Sequence, residues 1–325
     1  MNDRPSPAKR FVVIRGEEND PGVLKGAIVA IGNFDGVHRG HQAVIAAART
    51  RAHALDRPAA ALTFEPHPRV FLRPHEPLFR LTEETAKLRL LVASGLDGAI
   101  VLTFDAMLAS TTAEEFITRV LIDRFAISGA AIGFDFHFGK NRGGSPAFLA
   151  EQGKARGFFV DIVPPLEDEG RPVSSGAIRA ALTAGRVVEA AELTGHPWFV
   201  SGSVIHGDKR GRQLGFPTAN LALDAACGLK HGVYAVRVNI GGKRHDGVAN
   251  FGRRPMFDNG AVLLEVFLFD FLGDLYGEMI DVAFIGWLRH EQRFDGVDEL
   301  VRHMHEDCAH ARDVLARAPD VFPPI

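Results

Sequence analysis

Residues Ala27 to Ile31 form an unbroken apolar run, and the ten residues that follow, Gly32 to His41, hold three glycines and two histidines. A run that is apolar on both faces suits a buried strand of a parallel sheet rather than a strand with one wet face. Beyond it, Val44, Ala47, Ala48 and Leu55 recur at helical spacing. The stretch is therefore a strand, a tight turn and a helix. Backbone N–H groups at such a helix start point over the strand end, and the helix dipole favours an anion there. Gly40 gives a phosphate room to approach the backbone, and His38 and His41 on either side can donate to its oxygens. Gly32, Phe34, Asp35 and Gly36 form the turn that meets the phosphate. Charge is stabilised without a covalent step.

The same alternation continues. Apolar runs at Ala59–Phe64, Ala99–Phe104, Ala130–Phe134 and Phe158–Val163 are separated by helical patterns. Thr82 is placed to cap a helix carrying Leu88, Leu91 and Val92, which Gly95 stops. Thr112 with Glu115 makes a capping box for a helix bearing Phe116, Val120 and Leu121. Five strands alternating with helices predict an α/β doubly wound parallel sheet, Rossmann-like, with ligands beyond the carboxyl ends of its strands. Ser174-Ser175 opens a short helix with Ile178, Ala181 and Leu182 inward, and a second spans Val187–Leu193. From Pro197 the runs become β-rich, at Phe199–Ile205, Val233–Ile240, Gly247–Asn250, Leu263–Phe271 and Met279–Phe284, with a hairpin signal at Gly241-Gly242. An antiparallel β-barrel is expected there. Val297, Leu300, Val301, Met304, Cys308, Ala311 and Leu315 predict a C-terminal helix packed on it. With 325 residues the chain has room for two cores, set at 1–186 and 187–325.

A net charge of −3 argues against a protein that wraps nucleic acid. Two cysteines, Cys227 and Cys308, share no metal or redox spacing. The N-terminal apolar run Phe11–Ile14 is too short for a secretion signal, and no uncharged segment approaches the roughly 20 residues that span a bilayer. A cytoplasmic protein without membrane or nucleic-acid partners is expected, a monomer or weak homo-oligomer.

Three further constellations carry chemistry. Gly133-Phe134-Asp135-Phe136-His137-Phe138-Gly139 ends the fourth of these strands and leads into Lys140, Asn141 and Arg142. Asp135 and Arg142 offer an acceptor and a cation together at that strand end. Ser174 and Ser175 place hydroxyls at a helix start with Arg179 one turn on, which suits a triphosphate tail and equally an N-cap with a solvated arginine. In the second half, His206-Gly207-Asp208-Lys209-Arg210-Gly211-Arg212-Gln213-Leu214-Gly215 precedes Phe216-Pro217-Thr218-Ala219-Asn220. Gly207, Gly211 and Gly215 let the backbone close on phosphate, and Lys209 and Arg210 supply charge. Thr218 and Asn220 point the same way on an extended segment, two oxygen ligands that suit Mg²⁺. Glu265 interrupts an apolar strand, a position that by spacing alone faces solvent. His303, His305 and His310 fall on different helix faces and do not converge on a metal.

Gly32-Asn33-Phe34-Asp35-Gly36-Val37-His38-Arg39-Gly40-His41 resembles the HxGH signature of the nucleotidyltransferase superfamily, in the form found in bacterial FAD synthetases. The Pro217-Thr218-Ala219-Asn220 run resembles the riboflavin kinase signature, and the two occur in the order of the bifunctional family. That resemblance implies ATP-dependent phosphorylation of riboflavin to FMN, then adenylylation of FMN to FAD with release of pyrophosphate. It makes Glu265 the kinase base, Thr218 and Asn220 the Mg²⁺ ligands, and His38 and His41 the stabilisers of adenylyl transfer, helped by Arg179. It also assigns Asn250, Arg253, Arg254 and Tyr276 to the flavin or nucleotide pocket. The chain departs from the family at Phe134, where an acidic residue is usual, and at Gly176, where a third hydroxyl stands. A kinase that has lost the transferase, and a flavin-binding protein without turnover, are the alternatives.

Overall fold

The computed structural model describes residues 10–16, 20–168, 170–207, 211, 214–253 and 262–325. The chain divides into two compact units, the first of residues 1–77 and 83–173, the second of 78–82 and 174–324.

The first unit is built on six parallel strands: β1 (Val12–Arg15), β2 (Ile28–Ile31), β3 (Ala59–Glu65), β4 (Gly98–Thr103), β5 (Gly129–Gly133) and β6 (Phe159–Val163). Their order is β1-β4-β3-β2-β5-β6. β2, β3, β4 and β5 are buried almost end to end, as strands covered on both faces must be. Five of the six lie on the apolar runs. β1 is the addition, a short edge strand that pairs in parallel with β4, with Val12 opposite Gly98. Chain order runs outward from β2 through β3 to β4, then reverses to β5 and β6, so the switch point lies between β2 and β5. A crevice outside their carboxyl ends is where such a sheet receives a ligand.

Among its helices, α1 (Arg39–Ala54) packs on the sheet through Val44, Ile45, Ala48 and Ala52. After α2 (Pro68–Leu72), α3 (Glu84–Ala93) departs from expectation twice. Its N-cap is Glu83, without a side-chain bond, rather than Thr82. Its buried face is Ala86, Lys87, Leu90 and Leu91, while Val92 is exposed. A lysine has turned inward. The Thr112 capping box is present, with the Glu115 N–H donating to Thr112 Oγ1 at 3.2 Å. The helix then widens into a π-helix over Phe116–Arg124, which buries Ile117 with Phe116 and Leu121 and packs Val120, part-buried, against the same core.

In the second unit, Ser174 caps α7 (Ser175–Thr183) and α8 (Val187–Thr194) follows; the intervening α4 (Ala106–Ser110), α5 (Ala113–Glu115) and α6 (Pro146–Arg156) belong to the first. The division thus falls at 173/174, ahead of the expected 186, because α7 and α8 pack on each other and α8 on the barrel. Residues 78–82 join them: the Trp198 indole donates to the Leu81 carbonyl at 2.9 Å, and Arg179 Nε to that of Phe79 at 2.6 Å.

The barrel strands, numbered after the small hairpin β7 (Glu167–Asp168) and β8 (Arg171–Pro172), are β9 (Phe199–Ser203), β10 (Thr218–Ala222), β11 (Gly232–Ile240), β12 (Lys243–Arg253), β13 (Val262–Leu268) and β14 (Met279–Arg289). They are antiparallel in the order β10-β13-β12-β11-β14-β9, and among the described residues an isolated bridge from Ile205 to Asn220 joins the two ends. Gly241 and Gly242, at φ of 54° and 87°, make the β11–β12 hairpin turn with both central residues in the left-handed region. The C-terminal helix Val297–Arg317 buries only Ala311 and Leu315 fully, and Val297 is exposed. It packs through its second half, whose terminal carbonyls at Leu315, Ala318 and Pro319 accept from buried Arg237 of β11.

Candidate active sites in the two units

The β2–α1 turn is strained. Phe34, Gly36 and Val37 all have positive φ, at 50°, 86° and 38°, and a β-branched residue there is rare. Gln42 Nε2 holds the turn by donating to the Val37 carbonyl at 2.9 Å. Its product is a paired histidine. His38 is the N-cap of α1, and its Nδ1 accepts from the His41 N–H at 3.3 Å, so the ring proton sits on Nε2. The His38 and His41 rings stack with centroids 3.7 Å apart. Phe34, closed off from solvent, meets the His41 ring edge-on at 5.3 Å and supports it from behind.

Gly40 acquires a specific reason in this arrangement. A Cβ there would stand 3.1 Å from His38 Cε1 and Nδ1 and 3.3 Å from the Val173 carbonyl oxygen, so the space it leaves is filled by the His38 ring. Burial holds the His41 imidazole well below its usual range, and its electrostatic interactions with His38 and Lys87 push the same way. Its Nδ1 is buried with no hydrogen-bond partner among the described residues, a polar atom left for a ligand.

Beyond the end of β5, across the switch point from this turn, runs the loop Phe134 to Gly144. Phe138 anchors it, buried against Phe116 and Phe136, and pairs back to Gly144. Asp135 and Arg142 are exposed, with Arg142 at a φ of 58°. Because β2 and β5 are parallel neighbours, the two expected loops leave the same end of the sheet from adjacent strands. Ser174, Ser175 and Arg179 belong to the second unit. There the Ser174 hydroxyl accepts from the Ala177 N–H at 3.2 Å and Arg179 holds the Phe79 carbonyl.

In the barrel, register assembles the second site. Asn220 of β10 stands opposite Glu265 of β13, and Glu265 stands opposite Asn250 of β12. Residues so paired share one face of the sheet, and Thr218, two before Asn220, shares it too. Glu265 is half-buried on this face. Asn220 is buried, and its Oδ1 has no hydrogen-bond partner among the described residues. A buried oxygen without a donor suits a hard divalent cation, so the residues fit the expected Mg²⁺. Among the described residues no cluster of three or more His, Cys, Asp or Glu is placed to hold a metal.

Two glycines of the glycine-rich run come close to β10 and the residues leading into it. A Cβ on Gly207 would lie 2.5 Å from Asn220 Nδ2, and one on Gly211 would lie 2.3 Å from the Phe216 carbonyl oxygen. Gly215, at a φ of 87°, turns the chain into Phe216. Lys209, Arg210 and Arg254 lie outside the described residues, as does the side chain of Arg253. Tyr276 packs on His206 at 3.9 Å and lines a cavity with Thr218, Val266, Leu268 and Phe271. Asn250 Nδ2 donates to Glu291 at 3.5 Å. Glu291 lies on a loop without pattern, so spacing gave no signal for it. His303 pairs with Glu306 and His305 packs on Phe216, apart from one another.

Residues 20–177 match the FAD synthetase family and residues 194–315 the riboflavin kinase family. A bifunctional riboflavin kinase/FMN adenylyltransferase of Pseudomonas fluorescens is 41% identical over 313 residues, spanning 94% of this chain and 98% of that protein. This chain belongs to the bifunctional riboflavin kinase/FMN adenylyltransferase family. A second relative with the same name, from Escherichia coli K12, is 38% identical over 303 residues, spanning 93% and 97% of the two chains. Among solved structures, one titled a macrolide-efflux protein from Streptococcus pneumoniae matches with a TM-score of 0.82 at 33% identity, over 93% of this family member and 99% of that chain. Among the described residues no helix is long and apolar enough to cross a membrane.

Proposed function

We propose that each unit carries one of two successive transfers, on the observation that the FAD synthetase match covers residues 20–177 and the riboflavin kinase match residues 194–315. The chain is a riboflavin kinase and FMN adenylyltransferase. The barrel moves the γ-phosphoryl group of ATP to the riboflavin 5′-hydroxyl, and the first unit joins the FMN so formed to the adenylyl group of a second ATP, releasing pyrophosphate.

Glu265, opposite Asn220 and Asn250 in the barrel register, accepts the hydroxyl proton. Thr218 and Asn220 are the oxygens offered to Mg²⁺, which when bound offsets phosphate charge. Gly207, Gly211 and Gly215 allow the loop to fold close over the phosphates. Asn250 and Tyr276 bound the pocket for flavin or nucleotide. In the first unit, His38 donates from Nε2 and His41 from its unpartnered nitrogen to oxygens around the attacked α-phosphorus. Asp135 holds a ring edge of the bound nucleotide or flavin, and Arg142 meets the departing pyrophosphate. Free thiols at Cys227 and Cys308 suit a reducing compartment, the cytoplasm.

A time course with riboflavin, ATP and Mg²⁺, resolving the three flavins by chromatography, tests this division. FMN should rise and then yield to FAD. His41→Ala should stop at FMN, and Glu265→Ala should leave riboflavin untouched yet adenylylate supplied FMN. Loss of both activities in a folded His41→Ala protein would refute the two-site assignment.

A further inference from the structure

One buried charge in the first unit has no part in the transfers described above. Lys87 of α3 is 2% exposed, an uncommon state for a lysine. Its Nζ lies 2.6 Å from Glu65 Oε1 at the end of β3, 3.3 Å from Thr63 Oγ1, and 3.4 Å from the carbonyl oxygen of Asn33. The three donors of the ammonium thus have three acceptors. Thr63 Oγ1 donates in turn to the same Asn33 carbonyl at 3.2 Å. Asn33 is the residue between Gly32 and the first left-handed position, Phe34, so the clamp grips the turn where its strain begins.

Stability alone gives a poor account of this pair. A buried ion pair is often replaceable by apolar residues at little or no loss of stability. What apolar side chains cannot do is hold a backbone carbonyl. We propose that Lys87, kept in place by Glu65, is a positioning residue for adenylyl transfer: it fixes the Asn33 carbonyl, and through it the strained turn that presents His38 and His41. The ammonium charge also acts on His41, where it opposes protonation alongside burial. This inference rests on the assignment of the β2–α1 turn to adenylyl transfer.

The test compares Lys87→Met and the double variant Lys87→Met/Glu65→Gln with His41→Ala, all in the full chain. Adenylylation of supplied FMN, riboflavin phosphorylation and thermal stability are measured for each. Lys87→Met takes the ammonium away from the part-buried Glu65 carboxylate and should lower stability, and the double variant should recover it. Both should lose about 10- to 100-fold in kcat for adenylylation, as a displaced catalytic group does, while KM for ATP stays within about twofold. Riboflavin phosphorylation should stay at the unmodified rate. Recovery of kcat together with stability in the double variant would show a purely structural pair and overturn the proposal. If His41→Ala still makes FAD at the full rate, the site assignment falls and the positioning role with it. A dead His41→Ala beside a fully active double variant overturns the positioning role alone.

Discussion

Replacing Gly40 by alanine separates stability from chemistry within one unit. Gly40 is the second residue of α1, and alanine there gains about 0.5–1 kcal/mol from the smaller backbone entropy lost on folding. Against this, the new methyl group meets His38 Cε1 and Nδ1 at 3.1 Å with the Val173 carbonyl oxygen at 3.3 Å, so the ring must give way by a few tenths of an ångström. That movement stretches the 3.3 Å cap bond from the His41 N–H to His38 Nδ1. Loss of such a cap costs about 1 kcal/mol. The two terms nearly cancel. Adenylyl transfer has no compensating gain, because the displaced ring is one of the pair aimed at the phosphate. A group moved from its working position costs about 10- to 100-fold in rate, equivalent to about 1.4–2.7 kcal/mol of barrier. Pyrophosphate release from FMN and ATP reads the loss, a thermal melt reads stability, and riboflavin phosphorylation by the same molecule serves as internal control. Gly40→Ala with an adenylylation rate within about twofold of the unmodified protein would refute the reasoning, since the close approach would then be without consequence.

In the barrel, Asn220→Ala removes the unpartnered oxygen, and Gly207→Ala presses a methyl group onto the Asn220 amide at 2.5 Å. Both should raise the Mg²⁺ concentration for half-maximal riboflavin phosphorylation by about 10-fold or more, with adenylylation of FMN unchanged; an unaltered Mg²⁺ dependence would remove Asn220 from the metal site. Acid should destabilise the fold through two histidines. Burial lowers both His41 and His196 below the usual 6.5, so on acidification through that value the unfolded chain takes up protons that the native one refuses. Stability is therefore full above 6.5 and falls below it, by up to about 1.4 kcal/mol per pH unit for each group. Calorimetry across that range should show His196→Gln flattening the slope; an unchanged slope would mean that His196 accepts its proton while folded.

Much of the local detail was legible before any tertiary contact was known. The Thr112–Glu115 box, the Ser174 cap, the Gly241-Gly242 turn and the strand–turn–helix of Ala27–His41 each depend on residues a few positions apart. The chemistry of such short segments is written in their own side chains. Apolar periodicity likewise marked most of the strands, and burial on both faces marked the first set as parallel. It failed where packing decided. β1 is four residues long and only partly buried, and its partner β4 lies far along the chain. On α3, the triplet Lys87, Leu90 and Leu91 has the spacing of one face, but a lysine at its head reads as solvent-facing until Glu65 and Asn33 are seen to meet it.

The sequence by itself determined which residue types stand where, and with them the two signatures and their order. Only the tertiary structure decided that Glu265 lies between Asn220 and Asn250, that the turns after β2 and β5 leave adjacent strands, and that residues 78–82 join the second unit. Those arrangements are matters of register between segments distant in sequence. A slip of one residue turns a strand's side chains to its other face, and burial of the whole sheet, rather than any local preference, selects the pairing.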